Sequence, residues 1–243
     1  MKIRDGVEML EVAVNFRGTP GFIYPTLLWD SSQVILVDTG FPGQLPALHA
    51  AVEATGVQFE RLSALILTHH DIDHIGGLAA LREALPGVRV LSGEVERAYI
   101  QGEKTPLKLA QLEANLPHLP EEQKAIYTMM KAGFERSFAP VDQTVTDGEV
   151  LPWLGGIRVV DTPGHTLGHI CLYLPGVKVL VAGDALVVEN GQLEPAAPAL
   201  NADQDLSRES LKKLARLDVE AVICYHGGLY QADPNRRLAE LAV

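Results

Sequence analysis

Cysteine is scarce in this chain, with only Cys171 and Cys224 among 243 residues. Both sit inside apolar, strand-like runs (HICLYL and AVICYH), where a free thiol behaves as a small hydrophobe. No disulfide framework is indicated, and hence no oxidising compartment. Cations are also in the minority: 20 Lys and Arg against 31 Asp and Glu give a formal net charge of -11. With no Lys/Arg run, the basic patch that a nucleic-acid backbone calls for is missing. Long apolar runs are absent too. No window approaches the roughly 20 apolar residues of a membrane span. The opening MKIRDGVEMLEVAV has no continuous apolar core and carries Asp5, Glu8 and Glu11, unlike a secretory signal. The expectation is a soluble, cytoplasmic protein that engages neither nucleic acid nor membrane.

What the chain does contain is enough apolar material for a sizeable core, since 47% of residues are hydrophobic and 21% charged. Its densest chemistry lies in Ala64–Leu78, ALILTHHDIDHIGGL. An apolar strand, Ala64 to Leu67, runs into Thr68, and His69, His70, Asp71, Asp73 and His74 follow directly. Carboxylates packed this closely repel one another, and burying each unpaired costs several kcal/mol. A bound metal ion removes that cost and uses the same side chains as ligands. Three later strand ends repeat the theme: Asp161-Thr162-Pro163-Gly164-His165 with His169, then Gly183-Asp184, then His226-Gly227-Gly228. In each, an apolar strand meets a ligand-type side chain and then small residues that permit a tight turn.

Around these motifs the pattern predicts strands over 7–16, 22–29 and 33–38, a helix up to Thr55 closed by Gly56, a helix over 78–85 and a strand over 88–91. Residues 94–139 read as a helical insertion punctuated by Pro106, Pro117 and Pro120. It holds no ligand cluster, because His118 stands alone and is expected on the surface. The insertion is expected to cover a site or to form an interface, including one between two copies of the chain. Strands resume at 156–160, 170–174, 177–182 and 221–225, with a hairpin turn at Glu189-Asn190-Gly191. Helices are expected over 205–217 and 234–241. Residues 1–243 are thus read as a single domain of two packed sheets with helices outside.

THHDIDHIGG, PGHTLGH, AGD and YHGG, preceded by VDTG, together resemble the motif series of the metallo-β-lactamase-fold superfamily over about residues 10–230. The resemblance implies an α/β (α+β) fold, the four-layer αββα sandwich. It also implies two divalent metal ions, one held by His69, Asp71, His165 and Asp184, the other by Asp73, His74, Asp184 and His226. Asp38, His169 and Thr68 match positions that support the ligands. The family's first motif reads His-x-His-x-Asp-His, and Asp71 stands where it has its second histidine. That exchange makes the first site harder and more favourable to Mn²⁺ or Fe²⁺, with Zn²⁺ still the default for a His/Asp set. His70 could replace Asp71 as a ligand only through a local shift, since neighbours in an extended segment point to opposite sides.

Paired ions of this kind lower the pKa of a shared water from 15.7 to about 7, and Asp73 is the residue that the resemblance marks to orient that water and take its proton. No general acid is evident, and Tyr225 and Tyr230 read as buried structural residues. The implied activity is hydrolysis of a small-molecule ester, lactone or thioester, lactonase-like in kind. Phosphodiester cleavage, β-lactamase-like amide hydrolysis and a non-catalytic, metal-binding sensor role are the alternatives.

Overall fold

The structure, a computed structural model, describes residues 1–16 and 18–243. Its N-terminal half supplies strands β1 (Lys2–Arg4), β2 (Val7–Met9), β3 (Val12–Phe16), β4 (Thr19–Ile23), β5 (Thr26–Trp29), β6 (Val34–Val37), β7 (Ala64–Leu67), β8 (Arg89–Gly93) and β9 (Gln143–Val145). Helices α1 (Leu45–Glu53), α2 (Ile72–Ile75), α3 (Leu78–Ala84), α4 (Glu94–Ile100), α5 (Leu107–Asn115) and α6 (Glu121–Glu135) interleave with them. The C-terminal half adds β10 (Val150–Leu151), β11 (Ile157–Asp161), β12 (Ile170–Leu174), β13 (Val179–Gly183), β14 (Leu186–Glu189), β15 (Gln192–Pro195), α7 (Gln204–Leu214), β16 (Ala221–Cys224), β17 (Gly228–Tyr230) and α8 (Pro234–Leu241).

Among the described residues two large sheets, ordered β1-β2-β5-β6-β7-β8-β9 and β10-β11-β12-β13-β16-β17, form the body of the fold, with two-stranded sheets β3-β4 and β14-β15 beside them. Three apolar clusters show how they stack. Ile35, Val37, Ile66 and Leu91 of the first sheet meet Val159, Leu172, Val181 and Ile223 of the second, which is the sheet-on-sheet core. Alternate residues of the same strands, Leu36, Leu65, Leu67 and Val90, turn outward to Leu48, Leu81, Ile100 and Phe134 of the helices. On the far side Cys171, Leu180 and Val222 pack against Leu211, Leu214 and Leu238 of α7 and α8. Central strands buried on both faces must be apolar throughout, which is why β6, β7, β12 and β13 read as unbroken hydrophobic runs. The architecture is the αββα sandwich.

Several boundaries differ from the sequence expectation. The single strand expected over 7–16 is two, because the chain leaves the large sheet after β2 and forms a separate β3–β4 ribbon. Likewise 22–29 divides at Tyr24-Pro25: Pro25 has no N–H for a ladder, and its carbonyl instead accepts from the Leu10 N–H at 2.8 Å. The short strands β1, β9, β10 and β17 were not anticipated, having too few residues to show a period. The turn at Asn190-Gly191 does join a hairpin, β14–β15, with positive φ at both residues (51° and 75°). Both cysteines are free and buried.

Strand direction places the chemistry. β6, β7 and β8 run parallel. β11 and β13 each oppose β12, and β16 runs parallel to β13. The carboxyl ends of β7, β11, β13 and β16 therefore open on the same side, where open α/β sheets present their sites.

Candidate metal centre

The loop after β7 carries the first motif. Asp71 sits at the N-cap position of α2 but does not cap it, so its carboxylate is free to face inward. Asp71 Oδ2 lies 3.3 Å from His69 Nε2 and 3.0 Å from His165 Nε2, the latter delivered by the loop after β11. Asp184, at the end of β13, reaches both sides of the cluster. Its Oδ1 is 3.3 Å from His74 Nε2, while its Oδ2 is 3.5 Å from His165 Nε2 and 3.4 Å from His226 Nε2. Asp73 Oδ2 is 3.1 Å from His226 Nε2. Two groups emerge whose ligand atoms lie within 4.8 Å of one another: His69, Asp71, His165 and Asp184, and Asp73, His74 and His226. Asp184 stands between them.

The supporting bonds decide which nitrogen each histidine offers. Asp38 Oδ1 accepts the Thr68 N–H and Oδ2 the Thr68 hydroxyl, both at 2.8 Å. With that hydroxyl committed to Asp38, Thr68 Oγ1 accepts from His69 Nδ1 at 3.0 Å, and Asp38 Oδ2 accepts from His74 Nδ1 at 2.9 Å. Both rings are thereby left with an Nε2 lone pair aimed into the cluster. Asp38 holds this position with φ of 64°, a left-handed conformation that Asp tolerates better than most residues. His169 donates from Nδ1 to Thr162 Oγ1 at 2.8 Å and accepts the Asp184 N–H at Nε2, 3.0 Å away. Burial and the neighbouring His165 push His169 down to about 3, which keeps it the neutral acceptor this bond requires. Gly183 must be glycine: its φ is 51°, and a Cβ would lie 2.6 Å from His169 Nε2.

A cation suits this donor set. His69 Nε2, His74 Nε2 and Asp184 Oδ1 are buried and have no hydrogen-bond partner among the described residues. Such atoms are costly to bury unless something accepts their lone pairs. Burial alone would raise the Asp184 carboxyl, but His226 and His74 offset this and hold it well below the usual carboxylate range. Burial opposes charge on His226, yet Asp184 and Asp73 lift it to about 10. The residues fit divalent ions bound by imidazole and carboxylate.

All seven expected ligands come together, and Asp38, Thr68 and His169 lie behind them. His70 turns the other way, to Glu96 and the Tyr99 ring. Tyr225 is buried, and its hydroxyl donates to the main-chain oxygen of Asp73. Tyr230 is buried in the outer cluster under α8. His118 is exposed.

Two residues of the helical segment escaped the sequence reading. Lys108 of α5 pairs with Asp71 Oδ2 and lies 3.3 Å from His165 Nε2. Burial would lower its ammonium, but Asp71, with Asp184 and Asp73, raises it overall, so it stays charged. Nothing in PLKLAQLEANL distinguishes this lysine from a solvated one. Glu96 of α4 is fully buried. Its spacing offered a signal, since it shares the buried i, i+4 stripe with Ile100.

Comparison with known proteins identifies the family and agrees with the fold. The sequence model of the metallo-beta-lactamase superfamily matches residues 18–226. The probable metallo-hydrolase YflN of Bacillus subtilis is 30% identical over 209 residues, covering 79% of this chain and 75% of YflN. A hydroxyacylglutathione hydrolase of Mesorhizobium japonicum is 30% identical over 200 residues, which are 81% of this chain but only 58% of that protein. Among solved structures, a metallo-beta-lactamase family protein from Thermus thermophilus superposes with a TM-score of 0.77 at 28% identity, over 99% of this chain and 79% of that one.

Proposed function

The chain belongs to the metallo-beta-lactamase superfamily, and from that premise we propose that it is a metal-dependent hydrolase of a small-molecule ester, lactone or thioester. In this reading His69, Asp71, His165 and Asp184 hold one divalent ion, and Asp73, His74, His226 and Asp184 hold a second. Zn²⁺ is the first candidate, with Mn²⁺ or Fe²⁺ favoured at the Asp71 side by its extra carboxylate. The observation that carries the reading is Asp184, whose two oxygens face both groups while one of them lacks any hydrogen-bond partner among the described residues.

Ions bound there would supply Lewis-acid polarisation of a carbonyl and acidification of water. The chain's own groups do the rest. Asp73, beside His226 at the more open edge, accepts the proton of the attacking water. The Lys108 ammonium is aimed at the first group and compensates negative charge developing on the carbonyl oxygen. Tyr225 is committed to a main-chain carbonyl and fixes the position of Asp73 instead of moving protons. The hydroxyacylglutathione hydrolases among the relatives favour acyl substrates over phosphodiesters, as does the net charge of -11, which repels polyanions.

The test is elemental analysis joined to a substrate panel. Two divalent ions per chain and turnover of at least one ester, lactone or thioester are expected. Fully metallated protein that turns over none of these would overturn the reading in favour of a binding role.

A further inference from the structure

Glu96 is a carboxylate at 0% exposure with, among the described residues, only His70 at ion-pair distance. Its Oε2 accepts the His70 main-chain N–H at 2.9 Å and pairs with His70 Nδ1. Its Oε1 accepts the Thr166 hydroxyl at 2.8 Å and the Gly168 N–H at 2.9 Å. Four donors on two oxygens is the set that an ionised carboxylate satisfies. His70 Nε2 in turn accepts the Leu107 N–H at 3.3 Å, which leaves the ring proton on Nδ1, facing Glu96. The ring stacks on Tyr99 with centroids 4.4 Å apart. Leu107 opens α5, and the N–H groups of a first helical turn have no partner within the helix. Lys108 is the next residue.

These contacts join three pieces of chain that carry site residues. His70 lies between His69 and Asp71; Thr166 and Gly168 follow His165 within its loop; Leu107 precedes Lys108. We propose that Glu96 and His70 are a buried pair of positioning residues that locks the His69–Asp71 loop to the His165 loop and seats α5 with Lys108 over the first ligand group. Neither touches the reacting atoms. The second group is held otherwise, His74 by Asp38 and His226 by β16, so the pair governs one group and not the other. The inference rests on the first group holding a divalent ion.

Variants that keep one hydrogen bond and lose another separate the parts. Glu96→Gln keeps volume but turns one acceptor into a donor, and no amide orientation suits both His70's donors and the Gly168 N–H. His70→Asn retains a donor toward Glu96 and loses the acceptor for Leu107; His70→Gln does the reverse. With Co²⁺ as the probe, chelator competition and the visible bands report each group, the bands being assigned with Asp71→Asn and His226→Ala references. Amide exchange at Leu107 is read in parallel. Glu96→Gln and His70→Gln are expected to bind Co²⁺ at the first group about 10- to 100-fold more weakly, the usual effect of losing a group behind a ligand, with the second group unchanged. His70→Asn is expected to keep Co²⁺ affinity and speed Leu107 exchange at least about tenfold, the equivalent of about 1.4 kcal/mol. Equal weakening at both groups, no weakening in Glu96→Gln, or identical behaviour of the two His70 variants would overturn the proposal. If wild-type protein takes up no Co²⁺ at the first group, the ligand reading falls instead. Leu107 exchange then decides the pair alone: faster in His70→Asn supports it, and unchanged overturns it.

Discussion

The two candidate ligand groups meet at Asp184 but are built differently. The first, His69, Asp71 and His165, is buried throughout, roofed by α5 and faced by the Lys108 ammonium. The second, Asp73, His74 and His226, opens outward, with the His226 side chain 39% exposed. His74 is steered by the Asp38 carboxylate, while His69 is steered by the Thr68 hydroxyl. A buried, roofed group with an extra carboxylate suits tight, selective binding and contact with the developing anion. An open group with an exposed edge suits entry of water and release of product. In the proposed function, this difference puts electrostatic work on one side and proton transfer on the other.

The most damaging change to both sides should be Asp184→Ala. Metal content is expected to fall at both groups and turnover to be lost, as read by elemental analysis of folded protein. Retention of either ion at wild-type affinity would show that the groups do not share this carboxylate. Lys108→Met should act on the first side alone, lowering kcat by about 10²- to 10³-fold, the cost of removing one preorganised donor to an oxyanion, with metal content intact. A change confined to KM would place Lys108 on the bound substrate and not on the reacting oxygen. Asp71→His should alter selectivity more than rate, moving the first group toward Zn²⁺ in competition with Mn²⁺ while the second is unaffected.

The smallest effect is a control remote from both groups. Asp30 accepts from Ser32, Gln33 and Leu154, and the Ser32 bonds in particular hold its carboxyl down at about 2. A carboxylate with a depressed folded pKa stabilises the fold above its unfolded value near 3.8, and that contribution is lost as pH falls through about 2. Asp30→Asn should therefore cost about 1 kcal/mol at neutral pH and flatten the acid side of the denaturation profile. Metal binding should be unchanged in both groups.

Much of the fold was legible because it is encoded locally. Ala64–Leu67 and Val179–Gly183 are apolar runs ended by ligand-type residues, so strand and site appear together in one short window. The breaks at Leu10 and Pro25 were only partly legible: the apolar phase slips by one residue between Met9 and Val12, but that β2 pairs with β5 and β3 with β4 depends on partners distant in the chain. The helices of 94–135 were visible by their spacing, but which of their side chains enter the site was not.

The candidate ligands are encoded locally: His69, Asp71, Asp73, His74, His165, Asp184 and His226 each follow an apolar strand and need only correct strand direction to converge. Tertiary structure decided what surrounds them. Lys108 meets Asp71 across 37 positions, and Glu96 meets Thr166 across 70. Contacts of that separation depend on how helices pack on a sheet, a property of the whole core, and leave no period in the local chain. The candidate ligands are written in strand ends; their positioning and their roof exist only once the four layers close.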